Sequence, residues 1–183
     1  LFPVSKIILF IKLSNLQAEP FYGCVKIYGV KGIKGGARRT IGYISPEIIT
    51  KNKSVVNKYK LFFTTSYSTN AFNPPETIIG EQNSACTETF LLIGPFDTEI
   101  EQKNCYKYIC TNFFKTLLFF GRGTMQVSQD VFRFIPLQNF SNQSDINWNK
   151  SKDIRSEDTR LNPVTGYDLV CRLLLEKTSK QVL

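Results

Sequence analysis

The run from Glu99 to Phe120 constrains this chain more than any other stretch. Ile109, Phe113 and Leu117 recur every fourth residue, and Tyr106, Cys110, Phe114 and Leu118 form a neighbouring stripe. Two adjoining apolar stripes make a helix that must be covered on most of its surface. Thr98 is placed to cap it, with Glu101 three residues on as the reciprocal partner of a capping box. Asp97, Glu99 and Glu101 put negative charge at the positive end of the helix dipole, and Gly121 supplies a stop. Tyr106, Tyr108, Phe113, Phe114, Phe119 and Phe120 are expected to pack as core, each burial worth about 1.5–3 kcal/mol. Stacking on a nucleobase is the other use such rings could have.

Short apolar runs flank this helix. Thr89–Ile93 reads as a strand bounded by Gly94 and Pro95, and Val131–Ile135 as another before Pro136. Upstream, Phe21–Tyr28, Thr40–Ile44, Lys58–Thr65 and Thr77–Ile79 also have strand character, and Ser45-Pro46-Glu47 suits a brief helical turn. The expected fold class is therefore α+β: a small, curved, mostly antiparallel sheet packed on one long aromatic-rich helix.

Composition narrows the chemistry. The 183 residues include no histidine and five cysteines, at 24, 86, 105, 110 and 171, without C-x-x-C spacing. A zinc site and any catalytic scheme using imidazole are disfavoured, and unpaired cysteines suit a reducing, cytoplasmic setting. The acidic and lysine cluster of a nuclease core is not evident. Asn73-Pro74-Pro75-Glu76 lacks the aromatic fourth residue of an amino-methyltransferase motif and is expected to be a rigid turn. Pro3–Leu13 is apolar but short and interrupted by Lys6 and Lys12, so it is no membrane span. It reads as a segment docking on a preceding domain, and a chain opening on Leu1 is expected to continue from a longer one.

The formal net charge of +8 is unevenly placed. Residues 1–70 carry nine Lys and two Arg against Glu19 and Glu47, while the remainder is close to neutral. A basic half suggests a polyanion, most often nucleic acid. Gly29, Gly32, Gly35 and Gly36 form a loop that carries Lys31, Lys34, Arg38 and Arg39, a combination suited to close approach and neutralisation of a DNA backbone. Arg122, Gln126, Gln129 and Arg133 follow the aromatic helix at short intervals. Their forked donors and acceptors are those that read base edges.

Ser84, Cys86-Thr87-Glu88-Thr89, Gly94-Pro95-Phe96, Thr111, Phe113, Thr124, Gln126, Phe134 and Pro136-Leu137-Gln138, closing on Phe140, together form a combined pattern. It resembles the C-terminal target-recognition region of bacterial type II restriction-modification proteins that carry adenine-specific DNA methyltransferase domains. The likeness covers about a third of the chain closely. It implies a sequence-specific DNA-binding domain, with double-stranded DNA and a preceding methyltransferase or nuclease domain as partners. Cys86, Thr87, Glu88 and Thr89 would be its structural motif, Glu88 accepting backbone hydrogen bonds or pairing with an arginine. No cofactor is expected in this chain. S-adenosylmethionine, and magnesium where the parent also cuts DNA, would belong to other domains.

These readings divide the chain into a docking segment at 1–20, a recognition domain at 21–140, and a polar loop with a C-terminal helix at 141–183. In the last part Trp148 is the anchor, and Tyr167–Thr178 is amphipathic. Two alternatives remain at this level: a complete magnesium-dependent nuclease, and a basic domain that docks on an acidic protein.

Overall fold

The computed structural model describes residues 2–5, 16–31, 39–49, 52–68, 70–75 and 77–149. The architecture is α+β with two sheets, where the sequence suggests one. Strands β1 (Val4–Ser5), β4 (Tyr59–Thr64), β5 (Ile78–Gly80) and β7 (Phe90–Phe96) form an antiparallel sheet in the order β1-β7-β4-β5. Strands β2 (Val25–Lys31), β3 (Arg39–Ile44) and β6 (Ser84–Cys86) form a second in the order β3-β2-β6, with β2 antiparallel to β3 and parallel to β6.

Alternation along the central strands explains how the layers stack. Leu61 and Phe63 of β4, with Leu91 and Ile93 of β7, pack against the helices. Phe62 and Leu92, one residue out of phase, pack against Val25, Ile27, Ile44 and Ala85 of the second sheet. Successive strand residues point to opposite faces. A strand buried throughout, as β4 is from Lys60 to Phe63, therefore requires cover on both sides.

Strand β7 does not stop before Gly94-Pro95 but runs through to Phe96. The register with β4 slips by one residue between Tyr59↔Phe96 and Leu61↔Ile93. The proline, which has no N–H to donate, thus falls where the ladder is already interrupted.

The expected long helix is two helices, α2 (Glu99–Ile109) and α3 (Asn112–Gly121). The capping box at Thr98 and Glu101 is present in both directions. The break falls at Thr111. Its Oγ1 accepts from Phe114 N at 3.2 Å and donates to Tyr108 O at 2.7 Å, so a threonine inside the apolar period restarts the helix. Ile109, Phe113, Phe114, Leu117 and Leu118 are buried as expected, but Cys110 and Phe120 are exposed. Gln129–Phe134 is a 3-10 helix instead of the strand expected over Val131–Ile135, with Val131 and Phe132 turned into the core.

The described residues next to both expected edges of the domain, Phe2 at one end and Ile146 and Trp148 at the other, join its core. Phe2 is buried with its ring 5.7 Å from Phe114 and 5.8 Å from Phe132, and Val4–Ser5 pairs with β7. At the other end Ile146 and Trp148 join the core, and Trp148 Nε1 donates to Asn139 O at 3.1 Å. The side chains of α2 hold this last stretch by its carbonyls: Asn104 to Phe140 O, Lys107 to Trp148 O and Tyr108 to Pro136 O. Tyr167–Thr178 lies outside the described residues.

Phe114 meets Phe2, Phe63, Tyr108 and Phe132, whereas Phe113 meets only Tyr108 among described rings. Phe114→Ala is expected to cost about 3–5 kcal/mol and Phe113→Ala less, as read from urea unfolding. Equal costs would contradict this packing.

Lys60 is fully buried, its Nζ donating to the carbonyls of Val56, Lys58 and Val55 at the end of the short helix α1 (Lys53–Val56). Burial pulls its ammonium down to about 8, with the Cys86 thiol acting in the opposite sense. Burial pushes Cys86 up to about 12. With a folded value below the unfolded 10.5, Lys60 releases its proton first in the native state. Its contribution to stability therefore rises with pH between about 8 and 10.5, while that of Cys86 falls above about 9. The difference between the parent and Lys60→Met isolates the lysine. That difference should move in the parent's favour over this window, by at most about 1.4 kcal/mol per pH unit. A pH-independent difference would refute the shift.

Candidate nucleic-acid interface

The Cys86-Thr87-Glu88-Thr89 motif is the junction between the two sheets. Cys86 ends β6, and Phe90 begins β7. Thr87 donates its N–H to Tyr28 O at 2.9 Å and its Oγ1 to Gly29 O at 3.1 Å, which fastens the turn to β2. Its Oγ1 also lies 2.9 Å from that of Thr89, and Thr89 O accepts from Thr65 N and Oγ1, which fastens the turn to the end of β4. The Thr87 hydroxyl and the Thr89 carbonyl, two residues apart, therefore tie the turn to both sheets at once. Glu88 is exposed at the tip, and among the described residues its carboxylate has no hydrogen bond. The expectation that it accepts backbone N–H groups or pairs with an arginine is not met.

Gly29 owes its identity to this junction. It sits at the irregularity in the β2–β3 register with φ +87°, and a Cβ there would lie 2.5 Å from Thr87 Oγ1 and 2.7 Å from Thr89 Oγ1. The close approach is to threonine hydroxyls of its own chain. The hairpin itself forms as expected, with Lys31 opposite Arg39. Only the backbone of these two is described, and Lys34 and Arg38 lie outside the described residues.

The four residues expected to read bases have different surroundings. Arg122 is buried. Its guanidinium donates to Tyr67 O at 3.2 Å, Ser68 O at 2.9 Å and Ala71 O at 3.4 Å, and lies 3.8 Å from the centre of the Tyr67 ring. A planar fork that binds one loop by three carbonyls is a clamp, so Arg122 is a positioning residue. Gln126 is exposed beside that loop, bridged to Ser66, with Val127 N donating to Thr65 O. Gln129 is exposed, its Nε2 donating to Val4 O at 3.1 Å. Arg133 is exposed four residues along the same 3-10 helix, its guanidinium 4.9 Å from the centre of the Phe134 ring.

Gln126, Gln129 and Arg133 thus share the helical side of the four-stranded sheet, and the β2–β3 hairpin belongs to the layer on the other side. Much of the described positive charge is engaged within the domain. Lys26 pairs with Glu81 at 2.9 Å, Lys58 with Asp97 at 2.7 Å and Lys103 with Glu99 at 2.8 Å. The bond to Glu81 raises the Lys26 ammonium above its ordinary range. No three His, Cys, Asp or Glu side chains cluster among the described residues, and no helix there is long and apolar enough to cross a membrane.

One surface feature was not anticipated. Phe72, in a loop otherwise polar, meets Phe119 of α3, which meets Phe120. A lone phenylalanine among Ser68, Asn70 and Asn73 is the signal that would have found it. Compared with family models, with curated proteins and with solved structures, the chain matches none.

Arg122→Ala should destabilise the domain by roughly 2–3 kcal/mol, since it removes a buried charged donor shared by three loop carbonyls. Arg133→Ala should stay within about 0.5 kcal/mol of the parent. Urea denaturation distinguishes the two, and a silent Arg122→Ala would remove the clamp from this account.

Proposed function

We propose that this domain is the DNA target-recognition module of a restriction-modification enzyme that methylates adenine. The observation that carries the reading is the run of family-like residues from Ser84 to Phe140. Its pieces occupy connected parts of the domain: the threonine junction, the end of β7 through Gly94 and Pro95, the Thr111 cap, and the Pro136–Phe140 stretch held by α2. The basic excess of residues 1–70 is the second support.

In this reading the β2–β3 hairpin, with Lys31, Lys34, Arg38 and Arg39, grips phosphates, and Gln126, Gln129 and Arg133 read base edges. Arg122 acts through the loop it clamps. Methyl transfer from S-adenosylmethionine, and any magnesium-dependent cleavage, belong to partner domains, and the protein works in the cytoplasm.

The test is selection from a library of randomised duplex sites at two salt concentrations. The Lys31→Ala, Lys34→Ala pair should weaken all sites about equally and flatten the salt slope by about 1–2 units. Gln129→Ala or Arg133→Ala should relax discrimination at one base pair, by about 1–3 kcal/mol. A parent that retains no duplex at low salt would sink the reading. A hairpin variant that alters sequence preference would reverse the two roles.

A further inference from the structure

Residues 150–183 lie outside the described residues, and their sequence contains one stretch that calls for cover. Asp168, Arg172 and Glu176 fall four apart, a polar stripe in which Arg172 can pair with the carboxylate on either side. Tyr167, Val170 and Leu174, at spacings of three and four, fall on the opposite face of the same helical period. Thr165, with Asp168 three residues on, has the spacing of a capping box directly before the apolar run. A short helix with this pattern is marginal in water and gains its stability from packing of its apolar face.

The described residues offer a face of matching kind. Phe72 and Phe120 are 40% and 59% exposed, and each meets Phe119, with ring centres 5.9 Å and 5.8 Å apart. Phe119 and Phe120 stand on the last turn of α3, and Phe72 leaves the loop whose carbonyls the Arg122 guanidinium binds. Met125, also exposed, is tied to that loop by the bond from Tyr67 N to Met125 O at 3.2 Å. Single exposed apolar side chains are ordinary, whereas rings in contact on fixed supports form a patch that gains by burial.

The chain can bring the two together. Asn149 follows Trp148, whose carbonyl is held by Lys107 and whose ring lies 6.4 Å from that of Tyr108. Tyr108 lies 6.4 Å from Phe113, and α3 covers the remaining distance to Phe120 in about 10 Å of helix. The path is thus on the order of 25 Å, and the mostly polar residues 150–164 can span up to about 50 Å. A tethered segment meets such a patch at about millimolar effective concentration, so a contact of only about 0.1 mM affinity is made about nine-tenths of the time. A second copy of the chain matches this only when the protein itself is that concentrated.

We propose that residues 167–178 pack as a helix on Phe72, Phe119 and Phe120, with Tyr167, Val170 and Leu174 against the rings. The inference stands apart from the DNA-recognition reading. It extends the packed domain well past residue 140, where the sequence pattern alone sets its limit.

The test is hydrogen exchange of the whole chain, read residue by residue at two protein concentrations. Amides 169–176 should exchange about tenfold more slowly than in an unstructured chain, at either concentration. Phe120→Asp and Phe72→Asp should each abolish that protection while the amides of β7 keep theirs, and Phe120→Leu should retain it. Where Phe120→Asp also loosens β7, Phe72→Asp decides, because Phe72 stands on an exposed loop. Protection that is absent in the parent, or that survives both aspartate variants, overturns the proposal. Protection that appears only at the higher concentration makes the occupant a second copy, and overturns it too.

Discussion

The pairing of β4 with β7 is the contact on which the rest of the structure depends. Five residue pairs link the strands, and three consecutive residues of each supply core to both faces. Leu61 and Phe63 with Leu91 and Ile93 give the helices something to cover, and Phe62 with Leu92 does the same for the second sheet. Neither outer layer has a reason to sit where it does without this pair. Polar groups buried near it have partners: Gln102 of α2 donates to Lys60 O and Gly80 O, and Lys60 Nζ gathers the carbonyls that end α1. Left unbonded, each would cost more than its bond returns. Satisfied, they fix the helix and the loop at one position over the sheet.

Given a two-faced central pair, the chain must pass from one sheet to the other without leaving backbone groups unpaired at the crossing. Thr87 and Thr89 do this with short side chains. Their hydroxyls reach carbonyls or each other from positions where a longer side chain would push the sheets apart, and Gly29 leaves room for both. Glu88 between them is exposed, and the structural part of the motif is carried by the two threonines. The same holds for the Pro136–Phe140 stretch, whose carbonyls are acceptors for Asn104 and Tyr108. The residues of the combined pattern from Ser84 to Phe140 are therefore mostly those that build the domain.

What was legible in the sequence was what local chemistry decides. The Thr98–Glu101 capping box spans four residues and formed as expected, and Ile109, Phe113 and Leu117 are buried as their spacing implied, whereas the neighbouring stripe is buried only at Phe114 and Leu118. The helix break was hidden because the apolar period continues through Thr111, whose side chain can either face outward or cap. Val131–Ile135 is a short, mostly apolar run before Pro136, which reads as a strand but fits one helical turn equally well. The second sheet depends on β6 meeting β2 across more than fifty residues, which no local pattern encodes. The role of Arg122 was illegible for the same reason. Its acceptors lie in a distant loop, and the residue type alone suits a base edge as well as a carbonyl.

That reassignment changes how the surface is organised. With Arg122 beneath the loop, the 66–75 loop and the 119–126 segment become one piece of surface, tied by the clamp below and by the backbone bonds of Tyr67 and Val127 at its edge. Gln126 and the exposed Phe72 and Phe120 then belong to one tied piece of surface. Gln129 and Arg133 are tied to the same body through Val4 O and the buried Val131 and Phe132. Side chains fixed in position before any contact lose less freedom on making it. The buried arginine thus does for this surface what Thr87 does for the sheets: it spends its donors on backbone so that its neighbours can face outward.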